Sequence, residues 1–339
     1  MRQYIASLGA SMYLREVFFM TKNMEYNFDN LHSRVIDTLD NTDLERIRRE
    51  LYQIKDNVIC TGNGGSSVVS QFASQVLNYI NHCVTINIDP RDLEFMYLTN
   101  FKNLLTCTYS GKNYGVETSF ENDLNKHILS NGLVDRKDVK NLTYNTSLPR
   151  ERSFISLGAT LMPMSVLLSY YLHGTEKGCS NDNEVKSLIE RIFDTKKQKQ
   201  ETENIDFDVL SGFDTSVAAK FIESTFIEAA LGNVVIHSKY DFCHGRTTLP
   251  FQRKKRTLIF LKTSFTSGLG ELELELAKEL YDEIIVLESK FNDLIVDNYV
   301  LTLKAMYLAK NIAERQSKDL SKITYFPKVN SLYNFKGRM

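Results

Sequence analysis

The sequence predicts an α/β protein of two halves in tandem, each a mainly parallel sheet flanked by helices as a three-layer sandwich. Three observations predict it. Between residues 57 and 146 short apolar runs alternate with helical stretches, the pattern of parallel strands joined by crossovers. The first of those runs ends in glycines directly before a helix, and after a polar stretch at 174–205 the alternation resumes. A length of 339 residues suits two domains of ordinary size. Hydrophobic residues at 42% and charged residues at 24% match a folded globular chain and exclude wholesale disorder.

Residues 1 to about 56 read as helices: Leu31, Val35, Ile36 and Leu39 recur at helical spacing, and TDLERIRRELYQI comes after Asn41. NVICTGNGGSS is a strand running into glycines, and VVSQFASQVLNYIN is the helix behind it. HCVTINID, NLLTCTYSG and VKNLTYNT are three further strands, with helical segments between them. ERSFISLGATLMPMSVLLSYYLHG is apolar nearly all round, which implies a buried helix. The stretch 174–205 is the most polar and holds Lys196, Lys197 and Lys199, a solvated face. Beyond it come a helix AAKFIESTFIEAAL, the segment VVIHSKYDFCHGR, strand RTLIFLKT, helix ELELELAKEL, strand EIIVLES and a long helix from about Asp293 to Arg315. The expected boundaries are an N-terminal helical segment at 1–44, a first domain at 45–174, a polar linker helix at 175–205 and a second domain with a tail at 206–339.

Composition narrows the partners. Lys and Arg number 41 against 42 Asp and Glu, a net charge of −1, which gives no electrostatic reason to expect nucleic acid or an anionic membrane. No stretch reaches the ~18 apolar residues of a membrane span. The five cysteines are scattered without a CxxC, as suits reduced thiols in a cytoplasmic protein. The histidines do not gather with cysteines and no HExxH occurs, so neither metal nor cofactor is expected.

Two turns carry the chemistry. In TGNGGSS, residues 61–67, Gly62, Gly64 and Gly65 let the backbone approach a ligand where a helix N-terminus supplies free N–H groups, an arrangement that favours a phosphate. Ser66 and Ser67 add hydroxyls. Alone, such a turn serves equally well for tight strand-to-helix packing. TYSGKN, residues 108–113, ends another strand, and parallel strands put both turns on one sheet edge. Thr108, Ser110 and Asn113 could then reach the same anion.

GNGGS followed by TYSGKN resembles the two signatures of the sugar isomerase (SIS) domain, which binds phosphosugars. The segment opened by ERSFISLGATLMP is similar to that domain's later Glu/Ser/Thr segment. The second half resembles the second such domain in the isomerase part of glucosamine-6-phosphate synthase and in related isomerases and deglycases. The resemblance covers roughly residues 45–330. It implies a phosphate site at Gly64, Gly65, Ser66, Thr108, Ser110 and Asn113. Asn113 departs from the family's usual threonine and Tyr109 from the synthase's glutamine.

The resemblance also implies the catalytic pair. Glu228 and His244 stand sixteen residues apart, the separation of the family's enolisation base and its ring-opening histidine. Moving a carbonyl between sugar C1 and C2 needs a group that takes a proton from one carbon and returns it to the other, work for a carboxylate of raised pKa. Glu223 on the same helix competes for that role, and His237 is left structural. Arg246 suits either a phosphate or an ordinary ion pair, and Lys336 lies near where the synthase places an imine-forming lysine. The implied function is an aldose–ketose or aminosugar phosphate isomerase or deglycase acting on a phosphorylated sugar. The alternative is a non-catalytic protein that binds or senses a phosphosugar. In the resembling enzymes the histidine reaches the neighbouring subunit's site, so a homodimer with shared active sites is expected. The apolar helices at 153–172 and 293–313 offer surface for such an interface.

Overall fold

The computed structural model describes residues 27–112, 114–151, 153–176, 178–195, 202–253, 255–266 and 268–322. The expected helices before residue 27, Asn113, the lysine run at 196–199 and Lys336 lie outside the described residues. Two parallel sheets flanked by helices form the chain. The first orders its strands β2-β1-β3-β4-β5, with β1 Val58–Thr61, β2 Thr85–Ile88, β3 Asn103–Cys107, β4 Asn125–Asn131 and β5 Val139–Tyr144. The second orders its strands β7-β6-β8-β9, with β6 Asp206–Ser211, β7 Asn233–Ser238, β8 Thr257–Lys262 and β9 Glu283–Glu288. Every described pairing is parallel.

Two strands escape the apolar pattern, and each hides for a physical reason. β4 is NKHILSN, with only Ile128 and Leu129 as large apolar residues, yet it pairs on both edges in the middle of its sheet. β6 is DFDVLS, whose two aspartates argue against a central strand. Asp208 is buried there because it accepts hydrogen bonds from Arg256, Tyr281 and His237, so the charge is compensated.

The helices that frame the sheets and the site are α1 Leu31–Asn41, α2 Leu44–Tyr52, α3 Gly65–Asn81, α4 Tyr114–Ser119, α5 Gly158–Gly174, α6 Asp182–Asp194, α7 Ser216–Glu228, α8 Leu269–Leu280 and α9 Leu294–Arg315. Side-chain caps set their starts where the sequence allows it. Asp43 accepts the amide of Arg46, Asn181 those of Asn183 and Glu184, and Asp293 those of Ile295 and Val296. α6 falls inside the polar stretch but is a packed helix, because Val185, Ile189, Ile192 and Phe193 repeat on one buried face.

One core cluster runs through both halves, from Val58 and Leu105 to Val209 and Ile259. The apolar α5 and α9 belong to it together, joined by a hydrogen bond between Ser165 Oγ and Tyr299 OH at 2.7 Å. This corrects the expectation drawn from their composition. Their apolar faces are consumed inside the chain, so they give no measure of an interface. Polar ties add to the junction: Gln75 on α3 donates to Phe213 O at 2.9 Å, and Asn298 on α9 donates to Gln75 Oε1 at 3.2 Å.

Candidate active site

The strand register brings the two turns together. Thr61 of β1 stands beside Thr106 of β3 and beside Ile88 of β2, so the segments leaving all three strands emerge on one edge. Gly62 is packed so closely that a Cβ there would lie 2.4 Å from the Ser66 carbonyl oxygen and 2.9 Å from that of Cys107. Gly64 has φ +55° and ψ −130°, a conformation essentially reserved to glycine. These two constraints set the start of α3. Within the turn the amide of Ser66 bonds to Asn63 O at 3.1 Å, and that of Ser67 to Gly64 O at 2.9 Å. The amides of Gly64 and Gly65 have no partner among the described residues, so they are the donors left at this helix start.

A cleft of about 610 Å³ opens there between the two halves of the chain. On one side stand Gly62, Gly64, Ser67, Asn87, Ile88 and Asp89, at the ends of β1 and β2. On the other, α7 presents Lys220, Glu223, Ser224, Ile227 and Glu228, one helical stripe. The cleft thus joins the glycine turn to Glu228. Glu223 is held by Lys220 at 2.9 Å, whereas the Glu228 carboxylate has no hydrogen-bond partner among the described residues. Glu228 is open to the cleft, yet protein on its other sides desolvates it and raises its pKa.

The remaining candidates are scattered more widely. Ser66 is half-buried and its hydroxyl has no partner among the described residues, but the serine in the cleft wall is Ser67, whose Oγ donates to Gly64 O at 2.7 Å. In the second turn Thr108 Oγ1 accepts the amide of Gly111 at 3.2 Å, and Ser110 Oγ accepts that of Lys112 at 3.4 Å. Both hydroxyls keep their proton to donate. Neither residue is in the wall of the cleft between Gly62 and α7. Asn113 lies outside the described residues. His244 sits on an exposed kink after β7, with φ −89° and ψ 45° ahead of Gly245 at φ +93°, and does not line the cleft that holds Glu228. Arg246 is exposed on the same segment. His237 is buried in the Asp208 network, 3.0 Å from Asp208 Oδ1, a structural place.

Sequence reasoning misses part of the surroundings. A Cβ on Gly65 would lie 2.4 Å from Ser156 Cβ and 3.1 Å from Thr160 Oγ1, so the start of α5 abuts the start of α3. Thr160 is fully buried and its hydroxyl has no partner among the described residues. Glu151 caps α5, accepting the amides of Gly158 at 2.6 Å and Ala159 at 3.1 Å, and burial raises its pKa against the pull of those bonds. The signal is present in ERSFISLGATLMP but carries no indication of which hydroxyl faces the turn. Among the described residues no three of His, Cys, Asp or Glu gather closely enough to hold a metal ion.

No protein-family model matches the sequence, and no curated protein matches it either. Solved structures do. Glucosamine-6-phosphate deaminase from Thermotoga maritima superimposes with a TM-score of 0.66 at 16% identity, over 91% of this chain and 98% of that one. Tagatose-6-phosphate ketose/aldose isomerase from Escherichia coli gives 0.67 at 12% identity, over 89% and 96%. The C-terminal domain of glucosamine-fructose-6-phosphate aminotransferase from Francisella tularensis gives 0.65 at 13% identity, over 90% and 98%. The chain shares its fold with these proteins. The match spans nearly the whole of each of these proteins. At such low identity the likeness speaks for the fold alone.

Proposed function

We propose that the chain binds a phosphorylated sugar in this cleft and isomerises it, with Glu228 as the enolisation base. The observation that carries the reading is the meeting, in one cleft, of a glycine-rich helix start with free amides and an unpartnered carboxylate of raised pKa. In this reading the phosphate sits at the amides of Gly64 and Gly65, at the margin of the cleft toward the second turn, where Ser66, Thr108 and Ser110, which stand outside the cleft wall, and Asn113 are its further donors. Glu228 takes the proton from C2 of the open-chain aldose while the C1 carbonyl oxygen takes a proton from water to give an enediol, and Glu228 returns its proton to C1 as the C2 hydroxyl gives its own proton to water and becomes the carbonyl. Desolvation makes the carboxylate a better proton acceptor. Within the class, Asp89 and Glu228 are not offset by Lys220, which is held by Glu223, and this favours a substrate carrying an amino group.

The test is solvent exchange. Deuterium should enter C1 or C2 of a bound sugar phosphate such as glucosamine 6-phosphate, and Glu228→Gln should abolish it. Exchange that persists in that variant moves the role to another group. His244 acts, in this reading, on the site of a second copy in a homodimer. Mixing inactive His244→Ala with inactive Glu228→Gln should then restore activity through hybrids, and a chain that stays monomeric at micromolar concentration defeats the shared site. The absence of His244 from its own chain's cleft favours a second reading, a phosphosugar sensor without turnover. That reading expects a thermal shift with the sugar phosphate and no deuterium exchange.

A further inference from the structure

A second concave site lies at the C-terminal end of β9, and it shares no wall residue with the cleft of Glu228. It is a cavity of about 460 Å³ between α6, the loop after β9 and α9. Arg191 enters it from the last turn of α6, Lys290 from the loop and Lys304 from α9. Glu288 is the only carboxylate among the described wall residues, and it is engaged with Lys290 at 3.1 Å. The wall therefore carries three cations against one anion. Lys304 is half-buried and donates to the Glu288 carbonyl oxygen at 2.6 Å, and burial together with the nearby Lys290 depresses its pKa, with Glu288 opposing. Like charges are held close here.

The loop that presents them is fixed from below. Asp297, fully buried on α9, accepts the hydroxyl of Ser289 and the amide of Phe291, the latter at 3.0 Å. The cations thus stand on three elements whose relative positions are set by the core, while the exposed Lys290 side chain is held by its bond to Glu288. Three convergent cations in a concave wall concentrate field on the cavity, and a guanidinium with two ammonium groups matches the oxygens of a phosphate.

We propose that this cavity is a second anion site, built for a small phosphate dianion and independent of the sugar cleft. The probe is inorganic phosphate, measured by equilibrium dialysis at constant ionic strength on the full chain. The wild-type chain should bind phosphate at a site that Arg191→Ala/Lys290→Ala weakens at least tenfold, while a Ser110→Ala variant retains it. Lys290→Glu alone should weaken the same site, and it covers the case in which the double variant loses its fold by circular dichroism. Phosphate binding unchanged in affinity and stoichiometry in these variants overturns the proposal. So does a wild-type chain that binds no phosphate, or whose phosphate is lost only in Ser110→Ala.

Discussion

Replacing Gly65 by alanine tests how tightly α3 and α5 are set against each other beneath the candidate phosphate site. Two effects oppose. Alanine is the better helix former, by up to ~1 kcal/mol over glycine. Against that, the new Cβ would lie 2.4 Å from Ser156 Cβ and 2.6 Å from its Oγ. Ordinary carbon contacts fall near ~3.5–4.0 Å, so the overlap exceeds ~1 Å. Both Cβ atoms are fixed to backbone at a helix start, and no rotamer change relieves a Cβ–Cβ clash. Overpacking of this kind costs ~1–3 kcal/mol, and this geometry argues for the upper end. The net expectation is a loss of ~2 kcal/mol. For a 339-residue chain this lowers the melting temperature by roughly 3 °C, given an unfolding entropy of ~2.1 cal/mol/K per residue. Urea titration and thermal melting read the loss. Adding Ser156→Gly removes both clashing atoms and should recover most of it, with a coupling of ~1–2 kcal/mol in the double-mutant cycle. A Gly65→Ala chain more stable than wild type, or additive single and double variants, would refute the reasoning.

The geometry sets three other outcomes. Ser110→Ala removes an exposed hydroxyl whose only described bond is at 3.4 Å, so stability should change by less than ~0.5 kcal/mol while phosphosugar affinity, measured by titration calorimetry, falls about tenfold or more. Glu228 has its pKa raised from 4.5 by desolvation, so the folded chain holds its proton longer than the unfolded chain does. Stability therefore falls as pH rises from 4.5 through the raised value, and Glu228→Gln, melted across that range, should lack this fall; isomerisation in the wild type should rise on an acid limb with its midpoint above 4.5. Asp208 is the opposite case, its pKa lowered from 3.8 to about 2, although burial pushes it up, because His237, Arg256 and Tyr281 bond to it; its contribution is complete above pH 3.8 and is lost as pH falls toward 2. Asp208→Asn should cost ~3–5 kcal/mol at neutral pH by leaving Arg256 buried without its counter-charge, and an acid-unfolding midpoint identical to wild type would contradict that assignment.

The fold is legible wherever the apolar pattern is uninterrupted. VICT, NLLTC and TLIFLK are strands as expected, and the largely apolar segment at 158–174 is the buried helix. The misses have one cause. Asp208 and His127 are polar residues tolerated inside sheets, the first by an ionic network and the second by staying neutral, its pKa lowered to about 4 mainly by burial. A sequence read for alternation sees their polarity and not the partners that permit it. At the site, the spacing of glycines locates the helix start. It cannot locate the wall across from it. That Lys220, Glu223 and Glu228 face Gly64 is a result of how the second half docks on the first, through contacts such as Gln75 with Phe213 that no local pattern encodes.

That docking also bears on why the glycine turn lies in the first half. The second sheet has turns at the same edge, after β6 and β8, and they too bear hydroxyls: Ser211, Thr263, Ser264 and Thr266. Ser211 bonds to Gly212 O and Thr215, Thr266 accepts the amide of Thr263, and the other two hydroxyls face carboxylates of the chain itself. Thr263 Oγ1 donates to Asp214 at 2.7 Å, and Ser264 lies 3.4 Å from Asp297. Lys239 stands 3.5 Å from Asp214 and offsets part of its charge. A phosphate at the β6 and β8 turns would meet Asp214 and Asp297 where the first half offers open amides, and repulsion from the two carboxylates opposes the gain from a hydroxyl donor. The β6 and β8 turns are therefore filled from within, and their carboxylates tie β6, β8 and α9 together where the first half leaves donors for a ligand. Of the turns after β1, β6 and β8, the start of α3 is the one that leaves amides open to an anion in the candidate cleft, and from there α7 is the wall it faces.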